Sequence, residues 1–131
     1  MKIAIVTEDG HTVSQHFGRA PYYAVLTVEG DAIVERELRG KVAPHLAGAL
    51  REEHAGSGPH GTDPAAQSRH DQMAQAIADC SALIAGGMGQ GAYDRFAALG
   101  LRPVVTELSS VDEAALAYAR GQLANRVERL Y

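Results

Sequence analysis

Apolar and polar positions alternate in a way that divides the chain into a few clear elements. Residues 2 to 7, Lys-Ile-Ala-Ile-Val-Thr, form an apolar run rich in isoleucine and valine, which predicts a central strand covered on both faces. Asp9-Gly10 reads as a turn. Residues 22 to 29 and 32 to 39 are two β-prone runs joined by Gly30-Asp31, a hairpin signal, and the second arm alternates apolar with charged as a half-exposed strand does.

The periodicity lapses at about residue 40. Gly40 to Arg69 holds glycines, three prolines and three histidines, with a short helical pattern around Leu46, Ala49 and Leu50. Residues 43–69 are therefore read as a mobile Gly/Pro/His-containing loop insertion in a single domain spanning residues 1–131.

A helical period returns near Asp71. Met73, Ile77 and Cys80 fall on one face with Ala74 beside them, predicting an amphipathic helix over 69–80 in which Cys80 is a small buried hydrophobe. Ala82 to Ala85 predicts a buried strand, Gly86 to Gly91 a glycine-rich turn, and Ala92 to Leu99 a helix with Tyr93, Phe96 and Ala97 inward, ended by Gly100. Leu101 to Thr106 predicts a strand in which Pro103 requires an edge or a strand start. Ser110 with Glu113 fits a capping box opening a last helix from Val111 to Gly121 or beyond, with Ala115, Tyr118 or Ala119, and Leu123 inward. The order β-β-β-α-β-α-β-α implies an α/β fold with a mixed sheet.

Length, at 131 residues, fits one domain with an ordinary core. A formal net charge of -4 and the lack of a basic stripe argue against a nucleic-acid partner. The first apolar run is too short for a signal peptide or membrane span, so a cytoplasmic protein with no membrane contact is expected. With Cys80 as its one cysteine, the chain forms no internal disulfide and no cysteine-only metal site, so any metal-sulfur cluster would have to arrive assembled and be held by few bonds.

The densest chemistry is Ser14-Gln15-His16-Phe17-Gly18-Arg19-Ala20-Pro21-Tyr22-Tyr23. His16 offers a nitrogen lone pair, Gly18 backbone freedom, Phe17 an apolar wall and Arg19 a forked cation suited to anions. A lone loop histidine is commonly no more than a solvated or structural residue, and it is the whole string that raises its interest.

That string, with the opening Met1-Lys2-Ile3-Ala4-Ile5-Val6, the Leu83-to-Gly89 turn and the closing Val111-Asp112-Glu113-Ala114 helix, resembles the dinitrogenase iron-molybdenum cofactor biosynthesis family. The resemblance implies a ribonuclease-H-like α/β fold, a mixed five-stranded sheet flanked by helices. It also implies non-catalytic binding, carrying or storage of a preassembled metal-sulfur cluster: an iron-molybdenum cofactor precursor, or a related molybdenum or copper cluster. On that reading His16 is the metal ligand or near-ligand, Phe17 excludes water, Gly18 lets the backbone approach and Arg19 offsets the cluster's charge. Gly86, Gly87 and Gly89 would form the opposite wall, donating backbone N–H groups. The partners implied are the cluster and cofactor-biosynthesis proteins.

Other readings compete. Gly87-Met88-Gly89-Gln90-Gly91-Ala92 fits G-x-G-x-x-A after a predicted strand, with Glu107 at the spacing of a ribose contact, which suggests a nucleotide-binding regulatory module. The simpler reading, that the glycines permit a tight strand-to-helix turn, is favoured over it, since the turn sits late in a short chain with one βαβ unit and no second mononucleotide half. A protein-interaction domain docking on a cofactor-biosynthesis enzyme is a third possibility. A two-metal nuclease is disfavoured because residues 3–7 carry no carboxylate. His11, His45, His54, His60 and His70 match no metal-ligand spacing.

Overall fold

The computed structural model describes residues 1–41 and 71–131. The expected loop insertion at 43–69, and with it His45, His54, His60 and His70, lies outside the described residues. Five strands, β1 (Lys2–Thr7), β2 (Tyr22–Glu29), β3 (Ala32–Gly40), β4 (Ala82–Ala85) and β5 (Arg102–Val105), form one sheet in the order β3-β2-β1-β4-β5. β1, β4 and β5 run parallel, while β2 and β3 are antiparallel to their neighbours. This is the mixed five-stranded α/β sheet that the sequence resemblance implies.

Each strand lies where its pattern puts it. β1 is central, and its residues Ile3 to Thr7 are buried on both faces. The β2–β3 hairpin turns through Gly30 at φ +61°, a conformation that a side chain would oppose in a two-residue turn. Pro103 sits on the edge strand β5, where its missing N–H breaks no ladder.

Side-chain alternation sends two sets of residues to opposite faces. Ile3, Ile5, Ala24, Leu26 and Ile84 pack under α2 (Val111–Ala119) through Val111, Ala114 and Ala115. Ala4, Val6, Tyr23, Val25, Leu83 and Ala85 form the other core with Ile77, Cys80, Met88 and Phe96. Phe96 comes from α1 (Gln90–Ala98) and meets Phe17 edge-on, with ring centroids 5.2 Å apart. Cys80 is buried, and that burial pushes its thiol up to about 11, so it stays a protonated hydrophobe.

Helix limits differ from expectation. α1 begins at Gln90, two residues before the predicted Ala92, because Gly89 is its extended N-cap and the Gln90 amide side chain reaches Asp94 at 2.8 Å, one turn on. Ala97, expected inward, is exposed, since the face carrying Ala92 and Phe96 is the one turned to the sheet. The helix preceding β4 ends after residue 75 and continues as turns to 79, yet Ala74, Ile77 and Cys80 still face the core. α2 stops at Ala119, with Ser110 accepting a hydrogen bond from the Glu113 amide at 3.3 Å. Removing that cap with Ser110→Ala is expected to lower the unfolding free energy by about 1 kcal/mol, measured by urea titration, while leaving the sheet intact.

Candidate functional site

In open sheets with parallel strands, ligands collect outside the carboxyl ends of those strands. Here the loop after β1 and the turn after β4 meet at that end. Asp9 starts the loop: its carboxylate accepts from the His11 and Thr12 amides at 2.8 and 2.7 Å, and these bonds pull its pKa down to about 2. The Thr7 hydroxyl donates to the Thr12 carbonyl at 2.7 Å and closes the turn. Val13 and Ser14 then return beside β1, with the Ser14 amide bonded to Val6 O at 2.8 Å.

From there the chain runs along the glycine turn. The Gly86 amide donates to Ser14 O at 2.8 Å and the Phe17 amide to Gly87 O at 3.0 Å. A Cβ on Gly87 would lie 2.4 Å from the Gln15 carbonyl oxygen, and one on Gly86 2.9 Å from the Ser14 carbonyl oxygen. These two glycines are therefore glycines for want of space.

The clamp presents His16. Its backbone is fixed, with the amide on Ser14 Oγ at 3.2 Å and the carbonyl accepting from the Arg19 and Ala20 amides at 3.2 Å. Its imidazole is exposed and engages no described residue. It stands between two concavities, one of about 370 Å³ lined by Glu8, Asp9 and Thr12 to His16, the other of about 570 Å³ lined by His16, Gly18, Arg19 and Tyr131. Gly18 and Arg19 are exposed on the loop's outer side, whereas Phe17 is buried beneath it. So His16, Gly18 and Arg19 share one surface, and Phe17 supports that surface from the core.

The glycine turn is placed differently from a simple opposite wall. Gly86 and Gly87 are buried under the loop. Gly89 lies 3.8 Å, at its would-be Cβ, from the Tyr131 ring, and the Gln90 amide at the start of α1 donates to the Tyr131 carbonyl at 2.7 Å. Glu107 pairs with Arg126 at 2.8 Å. The groups a nucleotide would use are thus engaged within the chain. A larger groove of about 820 Å³, lined by Tyr93, Arg102, Pro103 and Tyr118 among others, lies by the amino end of β5, away from the loop.

Two residues of the site gave no sequence signal. Lys41 is buried, with its ammonium nitrogen 3.8 Å from the Phe17 ring centre and bonded to the Phe17 carbonyl. Arg129 donates to Gly86 O at 2.8 Å and to Gln15 Oε1 at 2.6 Å. Both cations meet neutral acceptors. By contrast Lys2, Arg36, Arg39, Arg95, Arg120 and Arg126 each face a carboxylate. Among the described residues, the cations lacking a carboxylate partner are Arg102 and three at this loop: Arg19, Lys41 and Arg129. No three or more His, Cys, Asp or Glu side chains converge as a metal site among the described residues, and no helix there is long and apolar enough to cross a membrane.

A sequence model described as dinitrogenase iron-molybdenum cofactor matches residues 1–121. Among solved structures, that of PH0822 superposes with a TM-score of 0.62 at 21% identity, covering 95% of this chain and 96% of the other. The apo form of the orange protein from Desulfovibrio gigas gives 0.64 at 21%, covering 95% and 91%. MJ0327 from Methanocaldococcus jannaschii gives 0.59 at 14%, covering 95% and 92%. No curated protein sequence matches the chain.

Two outcomes follow from this geometry. Gly87→Ala is expected to cost about 2 kcal/mol in denaturant unfolding, because the clash is with backbone rather than a movable side chain, and to speed amide exchange at Phe17. Burial pulls Lys41 down to about 7; the Phe17 carbonyl and ring favour the ammonium, but neither carries a full charge and desolvation prevails. Between pH 7 and 9 the unfolded chain holds a proton at Lys41 that the folded chain has released, so stability should rise with pH, by roughly 1.4 kcal/mol per unit at most. Cys80, whose thiol pKa burial raises, brings the opposite trend from about pH 9, and Tyr23, raised by burial too, adds to it above pH 10. Lys41→Met should flatten the rise, read from urea midpoints at pH 7, 8 and 9.

Proposed function

The chain belongs to the dinitrogenase iron-molybdenum cofactor family, and from that premise we propose that it binds and carries a preassembled, anionic metal-sulfur cluster without catalysing a reaction on it. The observation that carries this reading is the pairing of an unengaged imidazole, His16, with two surface guanidinium groups that have no carboxylate partner among the described residues, Arg19 and Arg129. An anion is what such a surface lacks. Iron-molybdenum precursors and molybdenum or copper clusters, whose sulfides carry net negative charge, fit the family description and the charge alike.

Each residue then has a task. His16 supplies a neutral nitrogen to an open metal position. The Arg19 fork, free of intramolecular partners among the described residues, donates to sulfide or oxo groups. Gly18, where a Cβ would meet nothing within 4 Å, leaves the loop's outer side open to a bulky ligand. Phe17, buried, keeps water from undermining the loop. One nitrogen ligand and a few charge-assisted contacts give a hold that releases its cargo, as handing a cluster to a later acceptor requires. The nucleotide reading loses support, since the Tyr131 carbonyl takes the first amide of α1 and its ring covers Gly89.

Anaerobic titration with tetrathiomolybdate, an anionic thiometalate probe, tests the proposal. The parent should develop a charge-transfer absorbance, His16→Ala should bind about tenfold more weakly, and Arg19→Ala should bind less tightly with a shallower salt dependence. Undiminished binding by His16→Ala would remove the imidazole from the seat.

A further inference from the structure

The segment after α2 has no hydrophobic period, yet it is bonded along its length to the carboxyl end of the sheet. The Asn125 side chain accepts from the Val105 amide at 3.0 Å and donates to the Tyr93 hydroxyl at 2.9 Å. The Arg126 amide donates to Val105 O at 2.7 Å. After a 3-10 turn at Val127–Arg129, Leu130 bridges Met88 in parallel and packs on the core, and the Tyr131 amide donates to Met88 O at 3.1 Å. The chain thereby crosses from the end of β5, over the turn after β4, to the loop bearing His16.

Two side chains along this path act on that loop. Arg129 holds both sides of the clamp at once, Gly86 O through Nε and Gln15 Oε1 through Nη2. Tyr131, whose backbone is fixed at both ends by Met88 O and the Gln90 amide, is 68% exposed as a residue and lines the concavity shared with His16, Gly18 and Arg19. One edge of its ring lies along Gly87 and Gly89, and the rest of the residue is open to solvent beside the His16 loop. Residues 125–131 also lie beyond the part of the chain that the family model matches.

We propose that residues 125–131 are a strap that completes the cluster seat, with Arg129 as a positioning residue locking the His16 loop onto the glycine turn and Tyr131 as a wall contacting the bound anion. The second half rests on the carrier reading; the first does not. Tyr131 bounds the seat opposite the loop and limits the size of what enters, while its hydroxyl offers a donor to sulfide or oxo groups beside the Arg19 fork.

The experiment uses the full chain and two readouts. Amide exchange followed by NMR should quicken by about tenfold at Phe17 and Gly86 in Arg129→Ala, with amides in the centre of β1 unchanged. Equal exchange in parent and variant would overturn the positioning role. In the tetrathiomolybdate titration, Tyr131→Ala should weaken binding by about fivefold and Tyr131→Phe by no more than about twofold. A Tyr131→Ala variant that binds as the parent does would overturn the wall while leaving the carrier reading intact. A parent that takes up no thiometalate would overturn the carrier reading and the wall together, with the exchange result still deciding the strap.

Discussion

Two backbone segments approach each other at the carboxyl ends of β1 and β4 as closely as peptide groups can, and the site is a consequence of that approach. The amides of Gly86 and Phe17 bond across the gap, and any Cβ at Gly86 or Gly87 would overlap a carbonyl oxygen. The loop between β1 and β2 would otherwise be free to sample many shapes. Pinned in this way, it turns Phe17 into the core against Phe96 and leaves His16, Gly18 and Arg19 facing out together. Inside and outside are thus decided by one clamp, which is why the side chains of His16 and Arg19 need no hydrogen bonds of their own.

Electrostatics then gives that surface its sign. Most cations of the described chain are neutralised by carboxylates, which makes them structural. Around the loop Asp9 is consumed by its turn, Glu8 faces the concavity on the other side of His16, and Arg129 is held by neutral acceptors that leave its charge uncompensated. A chain with net charge -4 thus leaves the guanidinium groups of Arg19 and Arg129 unpaired at one loop, a local positive character that its overall charge conceals.

Most of the fold was legible in the sequence because it follows from periodicity. The isoleucine and valine run of β1, the Gly30-Asp31 hairpin and the proline on β5 each carry a local physical signal, and each is where that signal put it. Boundaries were less legible: α1 starts two residues early, at Gln90 behind the Gly89 N-cap, neither of which advertises a helix start. The site was half legible. His16, Gly18 and Arg19 are neighbours in sequence, so their shared surface could be foreseen. Lys41 and Arg129 could not, since their meaning lies in contacts with Phe17 and Gln15 across 24 and 114 positions. The glycine string was ambiguous, because G-x-G-x-x-A looks the same whether its glycines make room for a phosphate or for a turn; here Gly87 makes room for the Gln15 backbone.

Mapping where an anionic cluster touches the protein tests the central claim most directly. In an anaerobic NMR titration with a thiomolybdate cluster, shifts in backbone amides and the His16 ring should concentrate at residues 14–19, 86–89 and 129–131, with the His16 ring moving most. Shifts confined to the groove around Arg102 and Tyr118, or scattered evenly over the surface, would contradict the assignment of this loop as the seat.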